Sequence, residues 1–296
     1  MVYYFLLALS IILTVCKSSL YNAYAKKANP SLPTTFIFNA LSYGVAGIIA
    51  FITMLFSKIS ISTPTVICAL FYGIIVVSLQ TVSIVSMKVG SMSTTAICVM
   101  YGMIIPSLAG PIFWKENIGA LQIVGICIMI ASLWLLKDTE KKTQNQTNTT
   151  SFKGTVLALV AFVLSGMAGV MEKIHQSTDG KSEKTMFVLI ACLFMVAFSI
   201  ITYFIIRPKE KENRVIPKPL YPFSSISGLI VGLYSIVNLT LAGALDSMIY
   251  YPVANGGAML LTVVVSLCFF KERANVSKII GMALGLCGIL LLSLPI

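Results

Sequence analysis

The sequence has few charged residues, and this scarcity excludes an ordinary soluble domain. Only 10% of the 296 residues are Asp, Glu, Lys or Arg, against roughly 25% in soluble domains. Hydrophobic residues make up 57% of the chain, and the mean hydropathy is +0.93. We therefore expect the chain to reside in a lipid bilayer.

Residues typical of catalytic, metal and nucleotide sites are also scarce. The seven cysteines show no C-x-x-C spacing, and no Gly-rich phosphate loop ends in Lys-Ser/Thr. The single histidine, His175, is expected in a loop, and each cysteine falls in an apolar run where Cys usually packs as a small hydrophobic residue. The sequence predicts no enzyme, no metal site and no cofactor.

Acidic residues are absent from the middle of every apolar run. All ten Asp and Glu fall in loops or near the ends of runs. Glu172 lies nearest to the membrane, but it adjoins Lys173, and we expect it at the interface. The net charge of +11 is spread over short loops, which favours anionic lipid head groups as partners and not nucleic acid.

The chain does contain ten apolar runs of about 20 residues, each long enough to cross a hydrocarbon core as a helix. Helices are expected because lipid offers no hydrogen-bond partner to an unpaired backbone. The predicted fold is an all-α integral membrane protein with ten transmembrane helices. The predicted spans are Val2–Tyr24, Thr34–Phe56, Thr65–Met87, Met92–Trp114, Ile118–Leu136, Gly154–Ile174, Thr185–Ile206, Phe223–Ala244, Ser247–Phe270 and Ala274–Leu294.

An internal duplication organises these spans. Residues of one half recur in the other at an offset of 156, in the order Phe113, Lys115, Glu116, Ile123, Gly125 and then Phe269, Lys271, Glu272, Ile279, Gly281. We predict five spans in residues 1–137, a polar linker at 138–151 and five spans in 152–296. An odd number of spans per copy makes the repeats inverted, an arrangement that many secondary transporters use.

Lys and Arg are distributed unevenly between the two sides. Connections after odd-numbered spans carry fifteen of the 21 Lys and Arg, the other side carries five, and Lys17 lies inside a span. The positive-inside rule then places the fifteen in the cytoplasm and both termini outside. The predicted location is the plasma membrane, with multiple crossings.

The repeated motifs resemble a known family. Phe269-Phe270-Lys271-Glu272-Arg273, followed by Ile280-Gly281-Met282 and by Gly285 and Gly288, looks like the final hairpin of the drug/metabolite transporter superfamily. Phe113-Trp114-Lys115-Glu116-Asn117 and Val124-Gly125 repeat it in the first half. Ten spans in two repeats resemble its EamA-type members. The resemblance implies carriage of small metabolites or drugs through a central cavity without ATP hydrolysis.

Polar residues within spans indicate where a cavity could lie. In the first span Ser10, Thr14, Lys17, Tyr21 and Tyr24 share one helix face. Lys17 must enter the membrane region because the uncharged run before it is only about 22 Å long as a helix. It either provides a counter-charge for a substrate anion or extends its ammonium to the interface.

Other spans carry weaker polar stripes, which either bind a polar solute or join packed helices by hydrogen bonds. The predicted substrate-binding residues are Lys17, Tyr21, Asn39, Gln80, Tyr101, Tyr234, Asn238, Tyr251 and Asn255. Prolines interrupt the fourth and ninth spans, at equivalent places in the two repeats. The predicted gating residues are Pro106, Pro252, Gly256 and Gly257.

The predicted function is a carrier that moves a small polar or zwitterionic metabolite, amino-acid-like or drug-like, by alternating access. Two alternatives remain open: a membrane scaffold or sensor that transports nothing, and an intramembrane enzyme, which would need an acid, base or metal cluster within the spans. The expected partners are a small-molecule substrate and membrane lipids. We expect a monomer, with a dimer as the alternative.

The predicted orientation is directly testable. A reporter that fluoresces only in the cytoplasm, fused to either terminus, should stay dark, and one inserted in the 138–151 linker should fluoresce. Fluorescence from a terminal fusion would reverse the predicted orientation.

Overall fold

The computed structural model describes residues 2–57, 59–115, 119–135, 148–178, 182–207, 218–244, 247–270 and 276–292. Every secondary-structure element in these ranges is a helix. The helices are α1 Val2–Ala28, α2 Leu32–Met54, α3 Thr63–Val89, α4 Met92–Tyr101, α5 Ile104–Trp114, α6 Ala120–Leu135, α7 Asn148–Ser177, α8 Lys184–Ile206, α9 Leu220–Ala244, α10 Ser247–Cys268 and α11 Val276–Leu292.

These helices have the length and composition of membrane spans. Seven stretches in the described part are long and apolar enough to cross a bilayer, with α4 and α5 together forming one of them, and three shorter apolar helices lie in α6, α10 and α11. The fold is therefore that of a helical protein compatible with several membrane crossings. Asn148–Ser151, predicted as the end of the linker, belong to α7, whereas the rest of the linker lies outside the described residues.

The predicted fourth span is two helices. Gly102 and Met103 separate α4 from α5, and the amides of Gly102 and Met103 bond three residues back, to Val99 and Met100. Pro106 has no amide hydrogen to bond the Gly102 carbonyl, which accepts from Ile105 at 3.0 Å instead. The proline thus ends the regular α-helical ladder of α4.

The break also rests against α7. Ser165 donates a hydrogen bond to the Val99 carbonyl at 2.7 Å. A side chain at Gly102 would meet Ser165 Cβ at 2.6 Å, so only glycine permits this approach.

The ninth predicted span behaves differently, because α10 continues through Pro252 without a break. The interruption predicted at Pro252 is not present as a break in α10, although this proline has no amide hydrogen for the Met248 carbonyl.

The helices pack in a pattern that surrounds α2 and α3. Helix α2 packs on α8 and α9, helix α3 packs on α7 and α8, and helix α1 packs on α9 and α10. Helices α6 and α11 pack on each other at one side. Two proline-initiated helices, α2 and α3, carry their prolines in the first turn, where the missing amide hydrogen costs nothing.

Small residues allow α4, α6 and α11 to approach closely. Tyr101 is fully buried, its hydroxyl accepts from Ser132 at 2.9 Å, and a side chain at Gly285 would overlap that hydroxyl. A side chain at Gly288 would meet the Gly125 carbonyl at 2.7 Å. The glycines of α11 therefore serve packing, as small residues commonly do between membrane helices.

Gly285→Ala should lower the melting temperature of the detergent-solubilised protein, because the added methyl group displaces Tyr101 and overpacking costs about 1–3 kcal/mol. Gly44→Ala is the matched control, since a Cβ there meets nothing within 4 Å. Alanine favours a helix over glycine, so this control should melt at or above the wild-type temperature. Equal melting of both variants would contradict the packing role of Gly285.

Candidate functional site

A cavity of about 70 Å³ lies among α3, α7, α8 and α9. It is near the carboxyl end of α7 and the amino end of α8, where Gln176 is exposed. The lining residues are Tyr72, Glu172, His175, Gln176, Lys184, Phe187, Val188, Tyr234, Ser235 and Asn238. The sequence predicted two of them, Tyr234 and Asn238, as substrate-binding residues.

Glu172 places a carboxylate inside the bundle. It lies in α7 five residues before the last residue, Ser177, and Tyr72 of α3 donates a hydrogen bond to its Oε1 at 2.8 Å. The interfacial position expected for Glu172 stays a prediction, because α7 ends only five residues beyond it. The span continues past its predicted end at Ile174, so Glu172 lies about one and a half turns inside the helix.

Lys17 approaches the same place from α1. Its Nζ lies over the ring of Tyr234, 4.9 Å from the ring centroid. The ring of Tyr234 presents its negative face to the cation. Glu172, Lys184 and the phenols of Tyr72 and Tyr234 thus line the cavity, and Lys17 of α1 lies against the Tyr234 ring.

A second group of polar residues forms hydrogen bonds beside this cavity. Glu183, just before α8, accepts hydrogen bonds from the Thr65 hydroxyl at 2.6 Å and from the amide and hydroxyl of Ser62, each at 2.9 Å. The Thr65 hydroxyl also lies 3.2 Å from His175 Nε2. Glu183 therefore ties the start of α3 to the start of α8.

His175 is a buried residue of α7 and not the loop residue that we expected. Its ring stacks on Phe187 with centroids 4.2 Å apart and planes 21° from parallel. Phe187 also contacts Tyr72 at 5.2 Å between centroids. These rings form an aromatic wall beside Glu172.

The opposite end of the bundle is filled by an aromatic cluster, which consists of Tyr21, Tyr24, Phe38 and Phe223. Tyr24 stacks on Phe38 with ring centroids 4.2 Å apart, while Tyr21 meets Phe38 edge-on at 6.1 Å and Phe223 lies 5.9 Å from Tyr24. On α9, Tyr234 is the cavity residue nearest to Phe223, and the two are about 16 Å apart along that helix.

Two further predicted site residues are buried between the cavity and the aromatic cluster. Asn39 donates a hydrogen bond to Thr81 Oγ1 at 2.8 Å. Gln80 follows Tyr72 by eight residues on α3, and neither of its amide atoms has a hydrogen-bond partner within the described part of the chain. Buried amides of this kind are commonly satisfied by water.

The remaining predicted residues lie elsewhere. Tyr101 is packed among α4, α6 and α11 and is remote from the lining of the cavity. A side chain at Gly257 would meet Ile11 of α1 at 2.6 Å, and one at Gly256 would contact Ile289 of α11, while Pro106 contacts Gly169 of α7. Asn255 is half-buried on α10. The side chains of Tyr251 and Pro252, like the whole of Glu116 and Glu272, lie outside the described residues.

A second cavity of about 120 Å³ adjoins the first between α2, α8 and α9. The two cavities share Val188 and Ser235. Its other lining residues are small, apolar or hydroxylic: Ala46, Ala50, Thr53, Thr185, Gly232, Ile236 and Thr240. Although it is larger, it holds no charged lining residue, so the chemistry for orienting a polar solute is in the first cavity.

Tyr72, Glu172, His175 and Phe187 are the site residues that sequence reasoning missed. Tyr72 does carry a signal, because Tyr72, Gln80 and Ser83 follow helical spacing on α3. Glu172 carries a weaker one, since an acid so close to a long apolar run is a candidate for entry into the membrane. His175 and Phe187 show no pattern that separates them from loop and packing residues.

Comparison with known proteins shows a fold relationship. A solved crystal structure, described only as that of a protein, has a TM-score of 0.62 to this chain at 13% sequence identity, covering 96% of this chain and 98% of the other. No protein-family model matches the sequence, and no curated protein matches it significantly. At this identity the likeness concerns the fold alone.

The Glu183 contacts predict a pH-dependent contribution to stability. The hydrogen bond from Thr65, with further bonds from Ser62, lowers the pKa of Glu183 from 4.5 to about 2. A carboxyl whose pKa is lower in the folded state stabilises that state above its unfolded pKa of 4.5, and this stabilisation is lost as the pH falls towards 2.

Glu183→Gln should therefore lower the melting temperature by a few degrees at pH 7, and the difference from wild type should shrink as the pH falls below 4.5. Thermal unfolding in detergent at several pH values measures it. Thr185→Val is a nearby control that leaves the Glu183 carboxylate contacts in place. A difference that is constant across this pH range would contradict the assigned contacts.

Proposed function

We propose that this protein is a membrane carrier that moves a small polar, zwitterionic metabolite through the cavity that Glu172 lines, with Lys17 beside it on the Tyr234 ring. The observation that carries the proposal is the meeting of both charges with Tyr72 and Tyr234 inside a bundle of apolar helices. An amino-acid-like solute has charges of both signs, and each finds a partner of opposite sign here. The phenol groups supply hydrogen bonds and ring surface for the remainder of the solute.

The energetic cost of these charges supports a functional role. Charged side chains within membrane helices are costly and commonly mark functional sites. A structural pair of this kind is often no more stable than a well-packed apolar pair. Two charges at a cavity are better explained by a polar solute than by stability.

The helix contacts support the predicted inverted repeat. If the first five spans are exchanged with the second five, α1 corresponds to α7, α2 to α8 and α3 to α9, while α4 with α5 corresponds to α10 and α6 to α11. Under this exchange the contact of α3 with α7 becomes that of α9 with α1, and the contact of α2 with α9 becomes that of α8 with α3. The contact of α4 with α7 becomes that of α10 with α1. Seven long spans and three shorter apolar helices also match a count of ten.

The two ends of the bundle support alternating access. The cavity lies at the α7–α8 end, whereas the aromatic cluster fills the space at the α1–α2 end. A carrier needs such asymmetry, because only one side of the site is accessible at a time. By the Lys and Arg count, the cavity end faces the outside of the cell and the aromatic cluster faces the cytoplasm.

The repeated Phe-Lys-Glu motifs, the paired helix contacts and the absence of a phosphate-binding loop in the sequence support membership of the drug/metabolite transporter superfamily. Transport would then draw on a solute or ion gradient.

Uptake into proteoliposomes tests the proposal. The purified protein should take up at least one radiolabelled zwitterionic amino acid, and Glu172→Gln should reduce that uptake about ten-fold or more, because a hydrogen bond to a charged group is worth about 1.5–3 kcal/mol. The matched control is Glu212→Gln, the same substitution at a glutamate that the sequence places in a loop. No uptake across the amino acids, or equal uptake by the two variants, would contradict the proposal.

A further inference from the structure

The position of the Lys17 ammonium indicates where a positively charged group of the solute can bind. Its Nζ lies 4.9 Å from the centroid of the Tyr234 ring, on a ring that lines the same cavity as Glu172. Glu172 in turn is oriented by the Tyr72 hydroxyl at 2.8 Å. An aromatic face beside a hydrogen-bonded carboxylate is a general arrangement for holding an ammonium group.

We propose that Glu172, Tyr72 and Tyr234 form a subsite for the ammonium group of the transported solute, and that Lys17 fills this subsite only while the carrier is empty. This inference rests on the proposed function and assigns the charged ends of the solute. The solute ammonium replaces Lys17 over the Tyr234 ring and binds Glu172, and the displaced Lys17 then pairs with the solute carboxylate.

The chemistry of Glu172 leaves room for this exchange. A carboxylate offers about four acceptor positions on its two oxygens, and Tyr72 uses one on Oε1. Tyr234 contributes a ring face that accepts a lysine or a solute ammonium, because both are cations. Phe187 and His175, which also line the cavity, add aromatic surface to the subsite.

The position of Lys17 beside this subsite has two consequences for transport. In the empty carrier Lys17 and Glu172 lie close to each other, so neither charge is isolated. The empty site can then turn from one side of the membrane to the other without burying an unpaired ion. When a solute binds, Lys17 selects zwitterions over simple amines. A solute with an ammonium but no carboxylate would displace Lys17 and leave it without an anionic partner.

A permanent structural ion pair is the competing explanation, and the two make opposite predictions for amines. If Lys17 occupies the subsite, then Lys17→Met vacates it while Glu172, Tyr72 and Tyr234 remain. The variant should bind simple amines more tightly than the wild type. If the pair is structural, removal of Lys17 weakens the fold and creates no amine site.

The experiment measures binding of ethylamine, isoamylamine and phenethylamine to the detergent-solubilised full-length protein by calorimetry at neutral pH, where all three are protonated. We expect Lys17→Met to bind at least one of them about ten-fold or more tightly than the wild type, the gain typical of an added bond to a charged group. The double variant Lys17→Met/Glu172→Gln should lose that gain. Lys17→Arg, which keeps a cation, should resemble the wild type.

Several outcomes would overturn the inference. These are no gain for any amine in a cooperatively melting Lys17→Met protein, a gain that persists in the double variant, and wild-type binding of isoamylamine as tight as that of L-leucine. Lys17→Gln is the second variant if Lys17→Met is unstable, and failure of both to fold would identify a permanent structural pair. Failure of the proposed function is a separate result, because it would show as no amino-acid uptake by the wild type.

Discussion

The cost of placing a charge in an apolar environment is the constraint on which this structure depends. Almost every residue of the long helices satisfies it by being uncharged. Glu172 and Lys17 satisfy it differently, through the Tyr72 hydroxyl and the Tyr234 ring. Because each of these partners comes from a different helix, α1, α3, α7 and α9 must be in register for either charge to be tolerated. The same interactions that make the charges acceptable thus determine where the cavity forms.

The two ends of the bundle use different chemistry to hold their helices. At the cavity end, Glu183 gathers hydrogen bonds from Ser62 and Thr65, which join the start of α3 to the start of α8. At the other end, the aromatic cluster of Tyr21, Tyr24, Phe38 and Phe223 packs by ring contact. Ring contacts are less directional than a carboxylate that accepts three hydrogen bonds. An alternating-access carrier needs ends that separate in turn, and aromatic packing can be opened without stranding a charge.

Most helix positions could be predicted from the sequence, whereas the contacts between helices could not. The predicted spans Thr34–Phe56 and Thr185–Ile206 differ from α2 and α8 by no more than two residues at either end, because continuous apolar stretches are helical in lipid wherever they pack. The fourth span was harder. The helix breaks before Pro106, where Ser165 of α7 bonds the Val99 carbonyl. At Pro252, by contrast, α10 continues without a break, so a proline within an apolar run does not by itself predict an interruption.

The sequence by itself determined the helical fold and its compatibility with several membrane crossings, since these follow from hydropathy and the length of the apolar runs. Tertiary structure alone decided that Tyr101 is a packing residue, that His175 is buried, and that Glu172 faces Tyr72 and Lys17 at a cavity. The physical reason is that the hydropathy of a stretch indicates whether it can lie in a membrane, but it does not show which residues contact one another. Whether a polar side chain meets a solute, a partner helix or lipid depends on residues that are distant in sequence, such as Tyr72 and Glu172, which only packing brings together.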